Sequence, residues 1–261
     1  MNEQNLINYY NKFNEDKRFN SRHGQVEYIT SLKYIYEYLK KISNPKILDI
    51  GAGTGKYSIK LANDGYDVTA LELVKHNLRV IEKNSKKVKT CLGNAINLSM
   101  FKDNSFDLVL LFGPMYHLIS EKDKLKALNE AKRVSKMNGI IMVAYIMNEY
   151  AIITHGFRDG NIKSAIKNKQ IDDNYHITPQ EDDLYSYVRL NDVNKYNRKV
   201  GLKRVKILTP DGPANYIRKI LNQMDDETFK LFLDYHFKTC EQKEILGASA
   251  HILDILIKNK N

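Results

Sequence analysis

Thiols are scarce: Cys91 and Cys240 are the only cysteines of the chain. Two of them, one inside an expected strand, give neither a disulfide framework nor the spacing of a zinc site. Long apolar runs are missing as well, since none approaches the about 18 residues that a membrane-spanning helix needs. The opening M-N-E-Q-N-L-I-N-Y-Y has no basic start and no apolar core, so no signal peptide is indicated and a cytosolic protein without a membrane partner is expected. Repeats, low-complexity tracts and an arginine-rich tail are absent too. Four histidines of the C-terminal half, His155, His176, His236 and His251, do not recur at ligand spacing, which speaks against a metal site.

Positive charge, by contrast, is abundant. Lysines and arginines number 41 against 31 acidic residues, a formal net charge of +10, which raises nucleic acid or another anionic surface as a partner. The basic residues are spread along helices and turns and are dense only over residues 83–89. A lysine-rich solvated surface is therefore the preferred reading, and nucleic acid the disfavoured partner. A chain of 261 residues suits one domain carrying insertions, or one domain with a small lid.

The most informative stretch is residues 46–57, K-I-L-D-I-G-A-G-T-G-K-Y. Ile47, Leu48 and Ile50 make the short apolar run of a buried central strand. Gly51, Gly53 and Gly55 then permit positive φ and close approach of the backbone to a ligand, and residues 56–63 continue as a helix with Gly65 at its C-cap. Such a strand, loop and helix would aim backbone N–H groups at a bound small molecule, with the Asp49 carboxylate beside them. The spacing G-x-G-x-G has Lys56 where a dinucleotide fingerprint needs its third glycine, and Ile50 and Tyr57 where a phosphate loop needs glycine and a hydroxyl. Residues 65–71 read as the next strand, with Glu72 at its C-terminal end, where a carboxylate can accept both hydroxyls of an adenosine ribose.

The segment D-I-G-A-G-T-G resembles motif I of the class I S-adenosylmethionine-dependent methyltransferases. The turn G-P-M-Y-H-L at residues 113–118 is similar to one found in a small-molecule branch of that family, and the ending G-A-S-A-H-I-L-D-I-L also looks like theirs. The resemblance covers roughly residues 22–146. It implies an α/β fold, a doubly wound, Rossmann-like, seven-stranded and mostly parallel sheet with a helical cap. It also implies S-adenosylmethionine as cofactor and S-adenosylhomocysteine as product. Asp49, Gly51, Ala52 and Gly53 would then serve the methionine part, Glu72 and Leu73 the ribose, and Gly93, Asn94 and Ala95 the adenine. Asn94 can accept through its amide oxygen or cap a turn. Phe112 would ease the cationic sulfonium, and Arg22 would pair with the methionine carboxylate. In the family a leading helical segment covers the cofactor, so Tyr9, Tyr10 and His23 would face the substrate, or else pack that helix onto the sheet.

Four parts are expected along the chain: residues 1–45 as a helical cover, 46–146 as the cofactor-binding core, 147–189 as a lid, and 190–261 completing the sheet with a helical insertion at 213–246. In the core, strands are read at 87–92, 106–112 and 140–146, and a capped helix at 120–135 ended by Asn138-Gly139. The lid carries His155. It is too long for an ordinary connection.

The turn after the fourth strand bears on the acceptor. Asn/Asp-Pro-Pro-Tyr, which grips exocyclic amines of bases or glutamine, is replaced by Gly113-Pro114-Met115-Tyr116. No carboxylates for metal-dependent catechol methylation and no cysteine for cytosine methylation stand here, and the thiol set of arsenite methylation is lacking. What remains is Tyr116 and His117, a phenol to orient and an imidazole to take a proton. The expected function is methyl transfer to an O or N atom of a small molecule; the alternatives are an RNA methyltransferase and a noncatalytic nucleotide-binding or adaptor protein on the same fold.

Overall fold

A computed structural model of the chain describes residues 6–8, 20–180 and 182–259. Eight strands form one sheet: β1 (Lys46–Ile50), β2 (Asp67–Glu72), β3 (Lys89–Leu92), β4 (Phe106–Leu111), β5 (Ser135–Met147), β6 (Tyr187–Val188), β7 (Lys203–Leu208) and β8 (His251–Ile257). Their order is β3-β2-β1-β4-β5-β8-β7, with the two-residue β6 paired to the end of β5. Strands β1 to β5 run parallel, whereas β8 is antiparallel to both β5 and β7. This is the doubly wound, seven-stranded arrangement that the sequence pattern implied, and β6 is an addition to it.

Alternation along the strands divides the core between two faces. Leu48 and Ile50 of β1, with Val109 and Leu111 of β4, pack on Ala127, Leu128 and Ala131 of helix α4 (Glu121–Val134). On the other face Ile47, Val68 and Leu108 meet α1 (Arg22–Leu39), α2 (Lys56–Asn63) and α3 (Lys75–Asn84) through Ile35, Leu61 and Ile81. The N-cap of α4 is built as its sequence predicts, the Ser120 hydroxyl accepting the Asp123 N–H at 3.1 Å. Its end is earlier than expected. Ser135 already opposes Phe106, and pairing resumes only at Leu108 with Ile140. Residues 136–139 thus form a bulge, Asn138 at φ 60°, where a helix terminus was anticipated.

Residues 148–188 rise from the C-terminal end of β5. They contain a turn at Asn148–Ala151, a π-helix at Ile152–Arg158, a helix at Ile162–Lys167 and β6. Asn148 clasps this segment, donating to the Tyr175 carbonyl at 2.9 Å and accepting the Ile177 N–H at 2.8 Å. The insertion between β7 and β8 carries α6 (Asp226–Thr239), after α5 (Leu190–Val200). Phe229 of α6 joins Val26 of α1, Ala214 and Leu221 in a separate apolar cluster, and Tyr150 and Tyr216 bring the two insertions into ring contact at 5.3 Å. Among the described residues no helix is long and apolar enough to cross a membrane.

The antiparallel end of the sheet is locked by a buried ion pair. Arg204 of β7 grips Asp254 of β8 at 2.6 and 2.9 Å, and Asn197 of α5 donates to the same carboxylate at 2.7 Å. Asp254 is fully buried, so removing it strands a half-buried guanidinium. Asp254→Ala is expected to lower unfolding stability by about 3 kcal/mol in urea titrations, and Arg204→Met, which strands the fully buried carboxylate, by at least as much.

Candidate active site

The site lies where β1 has neighbours on opposite sides, β2 and β4, whose connections leave in opposite directions and open a crevice at the strand ends. Two loops meet across it. Gly51 sits at φ +71°, and a Cβ there would lie 2.7 Å from the Pro114 ring, so only glycine lets the loop after β1 pass the loop after β4. Around this contact is a cleft of about 1130 Å³, open solvent at its mouth included.

Backbone geometry corrects one expectation. The Gly51 and Ala52 N–H groups bond the Leu71 carbonyl at 2.7 and 3.1 Å, and the Gly55 N–H bonds the Ala52 carbonyl at 2.9 Å. The Gly53 N–H is taken by the Glu72 carboxylate at 2.8 Å. These donors hold the loop to β2 rather than facing the cleft, because a buried amide must find a partner within the protein. What the loop offers a ligand is close approach.

Carboxylates supply the polar character. Glu72, buried at the end of β2, accepts from Gly53 with one oxygen and from the Val74 N–H at 2.9 Å with the other. A carboxylate offers about four lone-pair sites over its two oxygens, the kind of acceptor that ribose hydroxyls need. Asp49, also buried, accepts the Ser58 hydroxyl at 2.6 Å. Burial pushes its carboxyl up to about 6, the Ser58 bond opposing the rise. At the end of β3, Asn94 borders the cleft while its side-chain oxygen accepts the Ile96 N–H at 3.2 Å, the turn-capping role that its residue type allows.

Tyr116 and His117 stand on the short helical turn Pro114–His117 and line the same cleft. His117 is held from the lid side: its Nδ1 lies 2.8 Å from the Leu184 carbonyl, and its ring lies 5.2 Å from that of Tyr185. That carbonyl can only accept, so the Nδ1 carries the proton. Burial pushes the imidazole down to about 4, the Leu184 bond working against it, so His117 is neutral at pH 7 and suits orienting a donor better than storing a proton. Beneath the turn, buried Lys124 donates to the Leu118 carbonyl and, at 2.7 Å, to the Ser186 hydroxyl. The Ser186 N–H bonds the Tyr116 carbonyl at 2.6 Å.

Most of the expected site residues come together here: Asp49, Gly51, Ala52, Gly53, Glu72, Leu73, Gly93, Asn94, Ala95, Phe112, Tyr116 and His117 all line the cleft. Others do not. Arg22, expected at the methionine carboxylate, pairs with Asp226 at 2.9 Å and stacks on Phe229, because α6 offers it a carboxylate and an aromatic face. His23 bonds Asn222 at 3.1 Å. His155 borders a second cavity inside the lid segment and meets Asp159 at 3.2 Å. Tyr9 and Tyr10 lie outside the described residues. Among the cleft residues that went unforeseen are Asn77 of α3 and Glu27 of α1. Glu27 shares the buried face of α1 with Thr30, Ser31, Tyr34 and Tyr38. A charged residue at helical spacing on that face was the available signal.

Residues 48–143 match the family described as methyltransferase domain. The chain is 32% identical over 112 residues to a demethylmenaquinone methyltransferase of Renibacterium salmoninarum, covering 43% of this chain and 46% of that one. It is 29% identical over 115 residues to a glycine/sarcosine N-methyltransferase of Parasynechococcus marenigrum, with 42% and 41% covered. The chain spans about half the length of the curated relatives it matches. A solved S-adenosylmethionine-dependent methyltransferase of Methanosarcina mazei shares the fold at 17% identity and a TM-score of 0.59, over 87% of this chain and 98% of that one. The match to a methyltransferase domain lies over the glycine loop, the carboxylate after β2 and the turn after β4, on a fold that the solved methyltransferase shares.

Proposed function

We propose that the protein transfers the methyl group of S-adenosylmethionine to an O or N atom of a small molecule. One observation carries this reading: a chain of formal net charge +10 has a cleft whose described lining offers three carboxylates, Glu27, Asp49 and Glu72, against one ammonium, Lys56. Such a lining suits cationic and neutral ligands, and it repels the phosphates that an RNA methyltransferase must admit.

The residues present fit the cofactor. The Gly51–Pro114 approach leaves a cradle that a side chain would fill. Asp49, whose charge no basic group among the described residues offsets, suits the methionine ammonium. Glu72 suits the ribose hydroxyls, and Asn94 and Ala95 border the place of the adenine. Tyr57 and Phe112, edge to face at 5.1 Å, turn aromatic surface toward a cation. When bound, S-adenosylmethionine supplies a sulfonium methyl group open to in-line attack. The protein then has to hold the nucleophile about 3 Å away and aligned with the breaking bond, which positioning alone accelerates greatly. Tyr116 and the neutral His117 serve that end, the second through the acceptor nitrogen Nε2.

Titration calorimetry with S-adenosylmethionine and S-adenosylhomocysteine tests the reading. Loss of two charge-assisted hydrogen bonds in Glu72→Ala should weaken both ligands by about 100-fold, and a folded wild-type protein that binds neither would refute the proposal. A steep fall of RNA affinity with salt would favour the RNA alternative instead. The second expectation concerns pH. Asp49 attracts an ammonium only when ionised, and its carboxyl titrates near 6, so cofactor affinity should drop about 10-fold from pH 7 to pH 5. In Asp49→Asn that dependence should vanish, with affinity lower throughout.

A further inference from the structure

We propose that Lys124 is a positioning residue of the active site: it pins residues 184–186 to the turn after β4 and so fixes the orientation and tautomer of His117, an inference that rests on the methyl-transfer reading above for its meaning. Helical spacing puts Lys124 on the inner face of α4 with Ala127, Leu128, Ala131 and Val134, where it is only 1% exposed. Among the described residues no carboxylate forms an ion pair with it. Asp123 of the same helix and Asp192 of α5 act on it at longer range, and burial outweighs them, pushing the ammonium down to about 8. A lysine in that position costs free energy that a methionine or leucine would not. What it supplies is two hydrogen bonds that an apolar side chain cannot make.

Both bonds fall where the backbone needs them. Pro114–His117 is a single helical turn, and carbonyls at the end of a helix have no partner within it. Lys124 Nζ donates to the Leu118 carbonyl and, at 2.7 Å, to the Ser186 hydroxyl, while the Ser186 N–H donates to the Tyr116 carbonyl at 2.6 Å. One ammonium thus joins the turn to a segment 62 residues further on. Between these ties stands His117. Its Nδ1 meets the Leu184 carbonyl at 2.8 Å and its ring the Tyr185 ring at 5.2 Å, so the placement of residues 184–186 decides which nitrogen carries the proton and how far water is kept from the ring. Tyr187 and Val188 follow and pair with the end of β5. That pairing anchors one side of the segment, and Lys124 anchors the other. On the opposite flank of the turn the His251 ring packs on Tyr116 at 5.6 Å, its Nδ1 2.7 Å from Asp211 and 3.9 Å from Glu27. The variants below leave those groups unaltered.

The test follows the imidazole nitrogens of His117 by NMR in the full chain, their signals identified by loss in His117→Gln, together with amide exchange at Ser186. In the wild type the proton should sit on Nδ1 and the ring should titrate near about 4. Lys124→Met fills the space without the donors. It should speed Ser186 exchange by about 100-fold and give His117 signals of both tautomers. The His117 midpoint should move up toward its ordinary ~6.5, because water reaching the ring relieves the penalty on the imidazolium. Ser186→Ala removes one acceptor only and should show the same changes, with exchange faster by about 10-fold. Leu128→Val trims the same helix face one turn away and should lower Tm without altering His117, a contrast that general loss of stability would not produce. An unchanged tautomer and midpoint in folded Lys124→Met, the same changes in Leu128→Val, or, where Lys124→Met does not fold, an unchanged His117 in Ser186→Ala would overturn the proposal. Calorimetry with S-adenosylmethionine on the same samples keeps the two readings apart: a folded wild-type protein that binds no cofactor would overturn the methyl-transfer reading, whatever His117 shows.

Discussion

Everything in the site depends on the carboxylate at the end of β2. Glu72 ties the loop after β1 to β2 through the Gly53 N–H and caps its own loop through the Val74 N–H. Leu71 does the same from the backbone, taking two further N–H groups of the glycine loop. The loop after β1 is thus fixed before any ligand arrives. Preorganisation of this kind removes the ordering cost that a mobile loop would impose on binding. It also explains why the glycines matter for approach rather than for donation: Gly51 lets two loops pass at the switch point, within reach of Pro114.

Basic outside and acidic within, the molecule separates solubility from recognition. Many of its lysines are solvated, several in ion pairs of the kind seen at Lys60–Asp64 and Lys238–Asp234, which contribute little to stability. The carboxylates of the cleft are buried, and there the same unit of charge acts through a lower dielectric. Net charge, the most visible number in the sequence, therefore describes the solvated surface and not the lining of the cleft.

Residues 148–188 meet the site by polar contacts at the foot of the segment more than by apolar burial. Ser186 and Leu184 bind the Tyr116 backbone and the His117 imidazole, and Lys124 ties Ser186 to the Leu118 carbonyl, while Phe157, Ile166 and Tyr175 of the segment stay exposed. The imidazole is dried by this arrangement and kept neutral. A neutral histidine held by a backbone carbonyl is an orienting group of fixed tautomer.

How much of this was legible in the chain follows from distance along it. The glycine loop, Glu72, Asn94 and the 113–118 turn each belong to one strand and the loop after it, so period, turn chemistry and the resemblance together located them, and residues of each line the cleft. The helix α4 cap was equally local. Arg22 was misplaced because its partner, Asp226, is brought to it by the packing of α6 on α1, and no local rule foretells that. The same holds for Asp211 and His251, 40 residues apart, and for Glu27 beside them. The sequence by itself determined the strand ends and the ligand they suit, because those groups are carried by contiguous segments. Only the tertiary structure decided which donors the loop keeps for itself and which remote residues border the cleft beside it, because both depend on where remote elements come to rest.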